Sequence, residues 1–164
     1  MLSECARATT AEEARFRVDY PNSNPRRTAI IALDAQADSL VRKLAEKTWN
    51  GASFMTIANK AVSHSVRDWL TALTGETLNL LDEVRTADLV VTVSTAGESS
   101  EDTTIIAEAC DVCGIMTTAL VIDPASASES MLLETMLPLR ARASMLVVAE
   151  GEEYVEAMLT ALRA

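Results

Sequence analysis

The side chains best suited to holding a ligand crowd into one stretch, VVTVSTAGESSEDTTIIAEAC, from Val90 to Cys110. It opens as an apolar run, passes through a polar loop with one glycine and closes with helical spacing. Ser94, Thr95, Gly97, Ser99, Ser100, Thr103 and Thr104 bring hydroxyls and backbone N–H groups to the start of a helix. Unpaired N–H groups and the helix dipole favour an oxyanion at such a place. Glu98, Glu101 and Asp102 lie in the same loop and oppose it. With three carboxylates present, a phosphate calls for a bound cation or a cationic group on the ligand. The plainer alternative is that Ser100 or Asp102 caps the helix while the acids complement its dipole.

A second candidate segment is LDAQADS, with Asp34 and Ser39, after the apolar run 28–33. A dinucleotide site normally places glycines here, so that the backbone can turn tightly and approach a pyrophosphate. This loop has none, and the five glycines of the chain, Gly51, Gly75, Gly97, Gly114 and Gly151, are all isolated. No GxGxxG and no P-loop is present. Cys110 and Cys113 are three apart within a helical pattern, whereas redox CxxC pairs open a helix, so they read as small core residues. His64, the single histidine, has no nucleophile elbow to serve. Lys60 and Arg67 flank it and read as solvated surface, with reach to an anion in a crevice as the alternative.

The elements that position these residues follow from periodicity. Apolar runs at 28–33, 52–58, 77–81, 88–94, 117–123 and 144–150 predict strands. Helical spacing separates them, as at Leu40, Val41 and Leu44, or at Ile105, Ile106, Ala109 and Cys110. Val66, Trp69, Leu70 and Leu73 also predict helix, and Pro138 predicts a kink or a short helix before the last strand. Short, continuous, β-branched strands between helices call for an α/β three-layer sandwich around a Rossmann-like parallel sheet of five or six strands. The order is 3-2-1-4-5-6 with the run at 77–81 as a strand, or 2-1-3-4-5 without it. Either order puts the switch point between the loop 34–39 and the loop 95–104.

The run ADLVVTVSTAGESSEDTTIIAEACDVCGIMTTALVI (87–122) resembles the nucleotide-binding half of the FtsZ/tubulin-type GTPases. Ala87, Asp88, Val90, Ala96, Gly97, Thr103, Ala107, Glu108, Gly114, Ile115 and Thr117 carry the likeness. The segment 26–59 is similar to the opening strand, helix and second strand of that family. The resemblance implies GTP binding, but DAQAD and ESSEDT stand where the family has its two glycine-rich elements. The expectation is therefore a divergent FtsZ-like or Rossmann-like binding or interaction module that is not catalytic. STAGESSED (94–102) also looks like the phosphosugar loop of sugar-isomerase (SIS) domains, through Ser94, Gly97, Ser99 or Ser100, and Asp102. It implies the alternative, a protein or enzyme that takes a nucleotide or sugar phosphate, a small anionic ligand, on the loop 94–104.

Composition narrows the partners. The chain has 164 residues and a net charge of −10, so nucleic acid and anionic membranes would be repelled at long range. Apolar runs are too short to span a bilayer. Three cysteines and a charged opening segment give the expectation of a reduced, cytoplasmic protein. Residues 1–25 read as an N-terminal arm and 26–164 as the α/β domain. Phe16, Val18 and Tyr20 cannot be buried by such an arm alone, and with the Met-bearing helices (Met131, Met136, Met158) they predict a homo-oligomer, a dimer.

Overall fold

The computed structural model describes residues 26–57, 70–98, 101–122, 127–149 and 151–164. Seven strands and five helices occur among them: β1 (Thr28–Ala32), α1 (Ala35–Ala45), β2 (Ala52–Ile57), β3 (Leu70–Ala72), β4 (Thr77–Leu78), α2 (Leu80–Thr86), β5 (Leu89–Thr95), α3 (Glu101–Cys113), β6 (Met116–Ile122), α4 (Glu129–Arg140), β7 (Met145–Ala149) and α5 (Glu152–Ala161). They form one sheet of order β4-β3-β2-β1-β5-β6-β7. The five strands β2, β1, β5, β6 and β7 are parallel neighbours. In chain order those five read 2-1-3-4-5, the expected doubly wound arrangement.

Two departures lie at the β2 side. The run at 77–81 contributes only the two-residue β4 before Leu80 begins α2. Between β4 and β2 stands β3, antiparallel to both, where helical spacing around Leu70 predicts helix. Leu70 is fully buried under α2, and in so short a run a 3.6-residue pattern and a buried three-residue strand look alike. The sheet therefore has seven strands, not five or six, and is mixed at this end. The proposed arm, residues 1–25, lies outside the described residues.

Continuous apolar strands become central because both of their faces are covered. Every residue of β1 and of β5 is buried. Ile30, Ala32, Leu89, Val91, Val93 and Leu120 meet α1 and α5 on one face. Ala29, Ile31 and Val90 meet α2 and α3 on the other, and Ala119 and Val121 meet α4 there. The chain moves outward from β1 to β2 in one direction and from β5 to β7 in the other. Right-handed crossovers then put α1 opposite α3 and α4, as these clusters do. Each buried Val, Leu or Ile side chain contributes about 1.5–3 kcal/mol.

Local signals set the helix ends. Asp34, Asn79 and Ser128 cap α1, α2 and α4 by accepting from the backbone. Gly114, at φ +70°, closes α3, with the N–H of Ile115 returning to the carbonyl of Cys110. Helix α4 runs through Pro138 to Arg140. Among the described residues no helix is long and apolar enough to cross a membrane.

Candidate functional site

Adjacent parallel strands β1 and β5 run in register from Thr28↔Leu89 to Ala32↔Val93. Their next residues therefore emerge side by side at the switch point. The N–H of Leu33 donates to the carbonyl of Val93 at 2.9 Å. Beyond it the Asp34 carboxylate gathers three donors. Oδ1 accepts from the Ala37 N–H at 2.8 Å and from the Thr95 hydroxyl at 2.9 Å, and Oδ2 accepts from the Thr95 N–H at 2.7 Å. One side chain thus caps α1 and fastens β1 to β5 across 61 positions of sequence. An anion at a helix N-terminus is what this location favours, and the chain supplies that anion itself.

The loop after β5 turns tightly. The N–H of Glu98 donates to the carbonyl of Thr95 at 3.1 Å, with Gly97 at φ +92° in the third position of the turn. Glycine belongs there in a type II turn. A Cβ on Gly97 would also meet the Met131 methyl of α4, the mobile end of that side chain, which would have to move aside. The Gly97 N–H donates to the Thr135 hydroxyl at 2.8 Å, and that hydroxyl donates to the carbonyl of Met131 at 3.1 Å. Ala96 N–H donates to the carbonyl of Ile122 at 2.9 Å. The close approach that Gly97 permits is therefore to α4.

The residues singled out in the sequence fall in different places. Asp34 and Thr95 are brought into direct contact, and Gly97 is two residues beyond. Ser94 and Thr95 are buried in β5. Ser39 is exposed on α1, Thr104 is half-buried, and Ser99 and Ser100 lie outside the described residues. Thr103, 5% exposed, has no hydrogen-bond partner for its hydroxyl. It lines a cavity of about 10 Å³ with Thr92, Thr117 and Ala143, the size of one water. Its hydroxyl belongs to this internal space under α3. Asp102 is buried in the first turn of α3 and is engaged there.

Thr135, 38 positions away from Gly97, carried no signal in the sequence, and Met131, singled out there as a subunit contact, lies against Gly97 instead. His64, Lys60 and Arg67 lie outside the described residues. Among the described residues no group of three His, Cys, Asp or Glu side chains is placed to hold a metal ion. Cys110 is fully buried against Val90 and Ile106. Burial, and then the nearby Cys113 and Asp111, push its thiol up to about 12, the opposite of what a nucleophilic thiol needs. A larger cavity, about 150 Å³, lies at the far end of the sheet beside Trp49, Glu156 and Arg163. It is on the N-terminal side of the strands, away from the switch point where this fold class binds ligands.

No family model matches the chain, and the comparison with curated proteins finds no match either. Among solved structures it is similar to translation elongation factor SelB from Methanococcus maripaludis, determined with the GTP analogue GppNHp. That likeness has 10% identity and a TM-score of 0.55 over 87% of this chain and 34% of SelB. The chain spans about a third of the length of SelB. A CMP N-glycosidase from Clostridium botulinum, BcmB, aligns at 14% identity and a TM-score of 0.44, over 80% of this chain and 98% of that one. At these identities the likeness to SelB is one of fold alone: a layered α/β architecture.

Proposed function

We propose that this chain is an interaction module built on a nucleotide-binding type of α/β fold, an FtsZ-like or Rossmann-like relative that works through protein contacts rather than catalysis. One observation carries the reading. The Asp34 carboxylate occupies the N-terminus of α1 and takes both donors of Thr95, which are the groups a bound phosphate would have to claim. A phosphate arriving there would meet a fixed negative charge, and displacing Asp34 would leave α1 without its cap. The turn at Gly97 is likewise closed by α4 through Thr135.

Calorimetry tests this directly, with GTP, GDP, NAD and several sugar phosphates titrated into the full chain with and without magnesium. No heat of binding is expected from any of them. A saturable isotherm with a dissociation constant below about 1 mM for any one would overturn the reading. It would favour instead a small anionic ligand on the loop 94–104.

A further inference from the structure

Among the described residues strand β7 ends the sheet, and its sequence, MLVVA, has none of the devices that keep an edge from pairing. There is no charge, no proline and no bulge in it. Four of its five residues retain exposure, Met145 at 38%, and only Ala149 is buried. The flank above it is apolar as well. Glu152 and Glu156 of α5 reach Lys43 and Lys47 on or just after α1. Tyr154 is two positions from each, about 200° round the helix. It is thus on the side turned away from α1 and toward β7, and it is 55% exposed.

The charges at the two ends of β7 are of opposite sign. Arg140 and Arg142 precede the strand and Glu153 follows it, while Glu152 is turned to Lys43 on the α1 side. Arg142 meets Glu108 at the outer limit of 4.0 Å. Arg140 and Glu153 have no ion pair among the described residues. A strand that is basic at its start and acidic at its end complements itself only when two copies run antiparallel.

We propose that β7 is the dimerisation edge of this protein: β7 of a second copy adds antiparallel to it about a two-fold axis, continuing the sheet and setting each basic end beside the acidic end of the other copy. The inference deepens the interaction-module reading and rests on it, while its test reads mass instead of ligand heat, so that either can fail alone. A two-fold axis through the pair makes the contact closed, which an edge free of charge would otherwise extend without limit. The outward N–H and C=O groups of β7 find partners, and Val147 and Tyr154 of the two copies share one apolar flank.

Light scattering on the full chain is expected to give twice 17.6 kDa at concentrations near about 100 µM, with a micromolar dissociation constant. Two charge-reversed chains, Arg140→Glu and Glu153→Arg, put like charges together and should each dimerise at least about tenfold more weakly. An equimolar mixture of the two should regain the doubled mass, because each end again meets its opposite. Far-UV circular dichroism verifies that both remain folded. Amide hydrogen exchange of the unaltered protein gives a second reading, in which β7 amides are protected at high concentration and exchange faster on dilution. An unaltered chain that stays monomeric overturns the proposal. So does a dimer whose β7 exchange is independent of concentration, or one that survives both reversals and disappears only when residues 1–25 are removed.

Discussion

The switch-point crevice and the outer edge of β7 are two places where this fold leaves backbone groups to be met from beyond their own element, and the chain treats them in opposite ways. In the crevice Asp34 takes both donors of Thr95 and, in the first turn of α1, the N–H groups of Ala37 and Asp38. The Gly97 N–H beyond it is taken by Thr135. At β7 the sheet stops, with apolar side chains half-exposed and no strand on its other side among the described residues. Asp34 thus engages Thr95 within the crevice, while the β7 edge keeps apolar side chains half-exposed. The contrast also appears between the sheet's own edges. The β4 edge is two residues long and starts with an exposed threonine, a poor template for pairing, whereas β7 is longer and wholly apolar.

Breaking the crevice should cost stability and leave association alone. Asp34→Ala removes a cap and strands the N–H and hydroxyl of Thr95, so a loss of about 2–4 kcal/mol is expected. Urea unfolding measures it. A loss below about 0.5 kcal/mol would mean that the carboxylate does not join β1 to β5. The mass of this variant should match that of the unaltered chain under conditions where both are folded.

Gly97→Ala comes next, at about 1–3 kcal/mol, because a left-handed position and the Met131 methyl both oppose a Cβ. Met131→Ala made together with it should recover part of that loss, and a strictly additive pair would show that the two do not touch. Thr135→Val, which keeps the shape and deletes the acceptor of the Gly97 N–H, is expected to cost about 1–2 kcal/mol.

The smallest effect at neutral pH belongs to Cys110. Its thiol is raised from 9.0 to about 12 by burial first, so the folded state holds the proton that the unfolded state releases. The stabilisation is complete below pH 9 and is lost as pH climbs from 9 toward 12. Cys110→Ala should flatten that alkaline fall. With a thiol reagent at pH 8, mass spectrometry should find Cys113 modified well before Cys110. Equal rates at the two would contradict the burial.

Much of the architecture was legible without coordinates, since strands such as TAIIA and LVVTVST announce their burial on both faces by composition alone. The cap of α1 needed only Asp34 and the N–H three residues on. By contrast β3, three residues long, offered too few positions for a period to be read, and helical spacing at Leu70 and Leu73 pointed the wrong way. The candidate site was legible in part. Asp34 and Thr95 were both singled out for a ligand, yet nothing local told that they would bond to one another.

What the sequence by itself determined was whatever depends on neighbours within four or five residues: which segments are apolar on one face or two, where helices begin, where glycine ends one. Only the tertiary structure decided which partner each polar group would meet. The register of β1 on β5 sets Asp34 against Thr95, and a slip of one residue would turn the side chains to the opposite face. The packing of α4 on the β5 turn gives Gly97 a hydroxyl from Thr135. The position of α5 beside α1 leaves Tyr154 exposed, and among the described residues β7 stays only partly covered. Those contacts join positions tens of residues apart, and their energies exist only once the sheet has brought the strands together.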